Sequence, residues 1–252
     1  VNGRTGTVHT VVDEHPETFF CYSQKQFQHL VEPQGDATGG APRAATELIW
    51  MSERDGWNHL WLYDVATGAV KNQITRGEWV VHRVEHVDDA ARVIWFFAGG
   101  VRPDEDPYHQ HLCRIHFDGT GFQRLTEGDG THRIEWSPDR TVFVDSWSRA
   151  DHAPVHELRR ADGTLVAELE RGDLAPLLER GWRLPERFVA PGRDGRTDIH
   201  GLIYRPATIE PGRKYPVIEY IYAGPHGAFV PKEFRPIPDG DLQVLVELGF
   251  IV

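Results

Sequence analysis

The sequence predicts a mainly β protein, in which two to three blades of a partial β-propeller precede the first strands of an α/β domain. Three observations lead to this prediction. Short apolar strands alternate with turn residues from about residue 5 to residue 170, and hairpin aspartates recur at Asp64, Asp118 and Asp162. Near residue 170 the pattern changes to one that mixes helix and strand signals. The alternative for the first part is an antiparallel sandwich with coincidental strand spacing.

The spacing of the repeated features favours propeller blades. The hairpin aspartates lie 54 and 44 residues apart, and the pairs Ile74-Thr75 and Leu125-Thr126 lie 51 residues apart. A four-stranded unit of roughly 45–50 residues is typical of a blade, which buries its faces against its neighbours. Residues 5–22 are predicted to end an earlier blade and begin another. The main predicted strands are 49–52, 60–63, 70–75, 93–97, 112–117, 122–126, 141–145, 155–159 and 165–169.

Beyond residue 170 the pattern predicts the opening of an α/β sheet. A short helix is expected from Asp173 to Gly181, because an aspartate suits the first position and a glycine the last. Strands are predicted at 186–190 and 198–206, and a buried strand at 216–222. A helix over 242–248 and an apolar strand at 250–252 then follow, which gives the order strand, loop, helix, strand.

Composition excludes several classes of function. The chain of 252 residues carries a formal charge of −11 and has no run of basic residues, so neither nucleic acid nor an anionic membrane is an expected partner. Cys21 and Cys113 form neither a disulfide framework nor a metal-ligand spacing. No apolar stretch approaches the ~20 residues of a membrane span. Because the first residue is Val1 rather than methionine, the compartment stays open between periplasmic or secreted and cytoplasmic.

Tyr222 is the main candidate for chemistry. It ends the predicted strand 216–222, just before a turn that contains Gly224 and Pro225. A hydroxyl held there is well placed to donate a hydrogen bond to an oxyanion. Tyr220 alternates with Tyr222 and is therefore expected on the same face. None of the five serines lies in a Gly-x-Ser-x-Gly elbow, and the sequence continues for only 25 residues after Gly227, so the nucleophile of such a site is expected to be absent.

Several sequence segments, in their order along the chain, resemble the dipeptidyl peptidase IV branch of the prolyl oligopeptidase family of serine peptidases. The resemblance extends from about residue 46 to residue 252. The segments are SERDGWNHLWLY at 52–63, QITRGEW at 73–79, DGTG at 118–121 with LT at 125–126, WSPD at 136–139, and KYPVIEYIYAGP at 214–225.

The resemblance implies a parent enzyme that combines a propeller with an α/β-hydrolase domain and cleaves short peptides after proline or alanine near their N-terminus. Residues 1–172 would be the last blades, and residues 182–252 the start of the hydrolase domain. Tyr222 matches the family's oxyanion tyrosine, whereas the Ser-Asp-His triad and the glutamates that hold the substrate amino group have no match. This chain alone is therefore expected to be inactive.

The resemblance also implies the partners: a peptide substrate for the intact enzyme and, as an open alternative, a second copy of the chain. No cofactor is expected. His109, His111 and His116 with the acids 104–106 could suggest a metal site, but the set lacks a clear third ligand, and the acidic run suits a solvated loop. His226 could line the mouth of the active site or be a solvated loop histidine. The competing class of function is a non-catalytic propeller module that binds protein or carbohydrate.

Overall fold

The computed structural model describes residues 5–16, 26–31, 45–222, 227–235 and 242–252. Strands dominate, and three four-stranded antiparallel sheets follow one another along the chain. The first sheet contains β1 (Gln28–Val31), β2 (Glu47–Ser52), β3 (His59–Asp64) and β4 (Val70–Gln73). The second contains β5 (Val80–Asp88), β6 (Val93–Gly99), β7 (Gln110–His116) and β8 (Gln123–Arg124). The third contains β9 (Thr131–Trp136), β10 (Val142–Arg149), β11 (His152–Arg160) and β12 (Leu165–Arg171).

Within each sheet the strands pair in chain order, as they do in a propeller blade. The predicted fold class is therefore confirmed. One part of the strand prediction is wrong, because residues 5–16 contain no strand, and residues 18–22 lie outside the described residues. Among the described residues, no helix is both long and apolar enough to cross a lipid bilayer.

The chain divides into two compact units, of which the first comprises residues 1–103 and 110–126. Its core is formed by apolar side chains of the first two sheets, among them Ile49, Leu62, Phe96 and Cys113, each at most 2% exposed. The Trp79 ring stacks on Phe96 with a centroid distance of 6.0 Å. Burial between adjacent sheets is what holds neighbouring blades together.

A histidine–threonine hydrogen bond recurs in the first two blades and explains the repeated threonine. Thr75 Oγ1 lies 3.0 Å from His59 Nδ1 and accepts a hydrogen bond from the Leu60 backbone N–H. Thr126 Oγ1 makes the same two contacts with His111 and with the backbone N–H of the next leucine. A buried backbone N–H thus finds an acceptor where the strand ladder does not supply one.

The hairpin aspartates also have one role in common. Asp64 Oδ1 accepts hydrogen bonds from the backbone N–H and the hydroxyl of Thr67, both at 2.8 Å. Asp118 and Asp162 each accept a hydrogen bond at 2.9 Å from the backbone N–H two residues further on. Each aspartate closes the turn between the third and fourth strands of its blade, which is the known preference of this side chain.

Glu47 forms a paired charge cluster in the first unit. Its side chain is 11% exposed, and its carboxylate accepts hydrogen bonds from Lys71 and from Arg92, the latter at 2.7 Å. Burial raises the pKa of Glu47, but the hydrogen bonds from Arg92 and Lys71 outweigh this effect and bring the pKa below its ordinary value of 4.5. A lowered pKa means that the folded state binds the proton less readily than the unfolded state.

We expect Glu47→Gln to lower the free energy of unfolding by about 1–2 kcal/mol at neutral pH, because charge-assisted hydrogen bonds are lost. The difference from the wild type should be complete above pH 4.5, the ordinary pKa, and should close as the pH falls through the lower folded-state pKa. Urea unfolding at several pH values measures it. Glu135→Gln, which removes an exposed carboxylate, is the control. A pH-independent difference would contradict the electrostatic account.

The second compact unit comprises residues 104–109 and 127–252. Besides the third blade it contains α1 (Ala175–Leu178), the antiparallel hairpin of β13 (Glu186–Pro191) and β14 (Asp198–Ile203), and α2 (Leu242–Glu247). The α1 helix is shorter than predicted, although Asp173 Oδ1 does accept a hydrogen bond from the Ala175 N–H. Gly249, with φ of +94°, ends α2 as expected.

The predicted buried strand at 216–222 is corrected by the structure. Only residues 216–218 pair, through a parallel bridge between Val217 and Ile251, while Val252 exchanges backbone hydrogen bonds with Tyr204. The side chains of Val217 and Ile221 are 70% and 68% exposed. A parallel strand is buried only when elements cover both faces of its sheet, and the described residues do not cover this one. The α2 connection between 218 and 250 is nevertheless the crossover expected of an α/β sheet.

Candidate functional site

Tyr222 lies at the end of the partly paired segment 216–222, and its side chain is 64% exposed. The bridge between Val217 and Ile251 fixes the start of this segment, five residues before the tyrosine. Tyr220 is 59% exposed, so both hydroxyl-bearing rings are accessible. Exposure leaves the phenol free to reach a substrate, which a buried core tyrosine could not do.

Phe229 packs against both tyrosines and positions them. Its ring centroid is 5.0 Å from that of Tyr220 and 5.7 Å from that of Tyr222, with tilted planes in both pairs. Tyr220 and Tyr222 therefore contact one aromatic surface, in accordance with their alternation in the sequence. His226, the other candidate in this turn, lies outside the described residues.

A polar cavity of about 250 Å³ lies within the second unit, next along the chain from Phe229. Val230, Pro231 and Lys232 form one wall. The other walls come from the loop between β6 and β7, the end of β10 and the β13–β14 hairpin. Its charged and imidazole side chains are Asp106, His109, Arg149, Arg187, His200 and Lys232.

Asp106 is the buried anion of this cavity, at 8% exposure. Its carboxylate accepts hydrogen bonds from Lys232 Nζ at 2.7 Å and from the Tyr108 backbone N–H at 3.0 Å, and His200 Nδ1 lies 3.6 Å away. Burial raises the pKa of Asp106, but the hydrogen bonds from Lys232 and Tyr108 outweigh it and hold the pKa below 3.8. Asp106 is therefore a permanent anion at neutral pH, and it ties residues 227–235 to the β6–β7 loop.

Arg149 and His109 also line the cavity. The Arg149 guanidinium pairs with Asp129 and, at 2.5 Å, with Asp151. His109 is only 2% exposed, and its Nδ1 lies 3.3 Å from Asp129 Oδ1. Burial lowers the pKa of His109 to about 4, although Asp106 and Asp129 act in the opposite direction. The imidazole is consequently uncharged at neutral pH.

The structure corrects one interpretation of this region. The acidic run at 104–106 is not a solvated loop throughout, because Asp106 is buried and paired with Lys232. Nor do the structural contacts support a ligand set of His109, His111 and His116. His111 is engaged with Thr126, and His116 is exposed.

Sequence reasoning missed most of the cavity. Lys232 is separated from Asp106 by 126 residues, and nothing in the sequence near either residue indicates that they pair. Arg149, at the end of β10, and His200, within β14, are likewise brought to the cavity by the fold. The one available signal was Asp106-Pro107, where an aspartate before a proline favours a tight turn.

Three consecutive meander sheets joined to a parallel crossover define the class of this protein as a propeller-containing chain that leads into an α/β domain. The family model described as "Dipeptidyl peptidase IV (DPP IV) N-terminal region" matches residues 1–154, which is more than half of the sequence. The chain belongs to this family, as the resemblance in the sequence predicted.

Individual relatives agree with this assignment. Dipeptidyl peptidase 8 of Mus musculus is 27% identical over 197 residues, and that of Homo sapiens is 27% identical over 192 residues. Each alignment covers 71% of this chain and 21% of the relative, so the chain spans about a fifth of the length of the curated relatives it matches. The crystal structure of Porphyromonas gingivalis dipeptidyl peptidase 4 is similar in fold, with a TM-score of 0.64 and 24% identity. That match covers 82% of this chain and 28% of the other.

Proposed function

We propose that this chain is part of a serine peptidase that removes dipeptides from the N-terminus of short peptides after proline or alanine. Membership of the dipeptidyl peptidase IV family is the observation that carries the proposal. Its relatives named dipeptidyl peptidase support the same reaction. Residues 1–172 would supply the last propeller blades, which restrict access to short peptides, and residues 182–252 would begin the hydrolase domain.

In this proposal Tyr222 supplies one donor of the oxyanion hole. When a serine attacks the scissile carbonyl, negative charge develops on the carbonyl oxygen, and a hydroxyl about 2.7–3.1 Å away stabilises it. The exposed position of the Tyr222 side chain after the paired residues 216–218 supports this role. A backbone N–H would be the second donor, as in other peptidases of this mechanism.

We further propose that these 252 residues alone do not hydrolyse peptides. Ser146 Oγ lies 2.7 Å from His156 Nδ1, which superficially resembles a nucleophile beside its base. However, the two residues face each other on the paired strands β10 and β11, whereas the nucleophile of this enzyme class sits on a strained turn between strand and helix. Ser148 is also engaged, since its Oγ accepts a hydrogen bond from the Phe234 N–H.

The test compares the native gene product, purified from its source, with the 252-residue chain. We expect the native product to be longer, to release dipeptides from proline and alanine substrates, and to react with a fluorophosphonate at a serine in a Gly-x-Ser-x-Gly segment. The 252-residue chain should neither release dipeptides nor react specifically with the fluorophosphonate. Ser146→Ala should leave its nonspecific background labelling unchanged. A native product that ends at Val252 and binds ligands without cleaving them would instead establish the binding module.

A further inference from the structure

Three side chains with metal-ligating atoms converge beside the cavity of the second unit. Glu105 and His109 come from the β6–β7 loop, and Asp129 precedes β9. One ligand atom from each residue lies within 4.8 Å of the other two. His109 Nδ1 and Asp129 Oδ1 lie 3.3 Å apart.

The buried imidazole of His109 is aimed at this cluster and is unsatisfied. In the part of the chain that the structure describes, His109 Nδ1 and Asp129 Oδ1 are both shielded from solvent and make no hydrogen bond, although they face each other. Two buried polar atoms that face each other without a hydrogen bond are costly, and a cation bound between them would satisfy both.

The geometry fits a zinc-type ion. Zinc binds imidazole nitrogen and carboxylate oxygen at about 2.0–2.2 Å, so two ligands of a tetrahedral ion lie about 3.3 Å apart. This agrees with the separation of His109 Nδ1 and Asp129 Oδ1. Because calcium and magnesium take oxygen ligands, the nitrogen of His109 favours zinc or a related transition metal over either of them.

Both acids of the cluster offer an oxygen atom to a cation. Glu105 and Asp129 each bring one carboxylate oxygen within reach of His109 Nδ1. Arg149 contacts Oδ2 of Asp129 and leaves Oδ1 available, and it is itself neutralised in part by Asp151. A fixed partner on the outer oxygen orients a ligand carboxylate, which is the usual arrangement around bound metals.

We infer that Glu105, His109 and Asp129 form a binding site for one zinc-type divalent cation, with a fourth position open to water. The ion would join the β6–β7 loop to the segment before β9 across the wall of the cavity. This inference is independent of the proposed peptidase function, since it concerns residues that take no part in the proposed oxyanion hole.

Calorimetric titration of the EDTA-treated 252-residue chain with Zn²⁺ tests the site. We expect one ion to bind per chain and His109→Gln to weaken binding at least about tenfold, an effect seen even for residues that only support ligands. His116→Gln, at an exposed histidine, is the matched control and should bind like the wild type. Absence of stoichiometric binding, or equal affinity in His109→Gln and the wild type, would overturn the inference.

Asp129→Asn and a Co²⁺ spectrum provide a second test that remains valid if the His109→Gln variant does not fold. Asp129 is half-buried, and the substitution preserves its shape while removing the ligand charge. Co²⁺ should give the visible absorption of a low-symmetry site with a nitrogen ligand in the wild type, and Asp129→Asn should reduce both this absorption and the Zn²⁺ affinity. A folded Asp129→Asn variant with unchanged Zn²⁺ affinity and Co²⁺ spectrum would also refute the site.

Discussion

Tyr222→Phe is expected to lower kcat of the intact enzyme by about 10²–10³ and to leave KM nearly unchanged. The substitution removes only the hydroxyl, and an oxyanion donor acts on charge that develops in the transition state rather than in the bound substrate. The ring itself, packed against Phe229, is retained. Steady-state hydrolysis of a proline dipeptide substrate by the native gene product measures the effect.

Tyr220→Phe is the matched control, because Tyr220 contacts the same phenylalanine and is exposed to a similar degree. Its kcat should stay close to that of the wild type. If Tyr220→Phe showed the large loss and Tyr222→Phe did not, the donor would be assigned to the wrong residue. A thermal unfolding curve for each variant separates a catalytic loss from a folding defect.

The second large effect is a loss of folding stability, expected when a buried network of polar and charged side chains in the third blade is disrupted. The His132 and Asp145 side chains are fully buried, with Nδ1 of the ring 2.8 Å from the carboxylate and Nε2 2.9 Å from the Gly128 carbonyl. Both ring nitrogens of His132 therefore lie within hydrogen-bond distance of an oxygen atom. Arg159 Nε, 3.5 Å from Asp145, and Glu157 complete the network.

We expect Asp145→Ala to lower the free energy of unfolding by about 3–5 kcal/mol, because it leaves buried polar and charged groups without their counter-charge. Asp145→Asn should cost less, since the amide has the same shape and keeps a hydrogen-bonding group beside the His132 ring. Urea unfolding followed by tryptophan fluorescence is suitable, because the Trp147 ring lies 6.0 Å from His132. Asp198→Ala, at an exposed strand end, is the control. Equal stability of Asp145→Ala and this control would contradict the prediction.

Hydrophobic periodicity found the strands with apolar interiors and missed those with polar ones. Strand β6, with Ile94, Phe96 and Phe97 fully buried, was predicted nearly to the residue. Strand β9 was not predicted, because its buried side chains, Thr131 and His132, are polar, and His132 is held by a hydrogen bond to Asp145. Periodicity of apolar residues carries no signal for such a strand.

Part of the candidate site could likewise be predicted from the sequence, and part of it could not. Tyr222 was found because a short local phrase of sequence surrounds it, whereas the cavity depends on pairs such as Asp106 with Lys232 that are far apart in the chain. The buried strand at 216–222 was predicted from its apolar composition. Such a composition indicates that the side chains would be buried if other elements covered the sheet, but it does not indicate whether the described residues include those elements.

The pairing of strands in chain order has a consequence for the time course of folding. Every ladder of the third blade closes within residues 131–171, so no distant segment has to be found before its hydrogen bonds form. Local pairing of this kind carries a small loop-closure cost and is fast. During synthesis a completed blade can form while the next is still on the ribosome, and only the apolar faces between adjacent blades must wait for their neighbours.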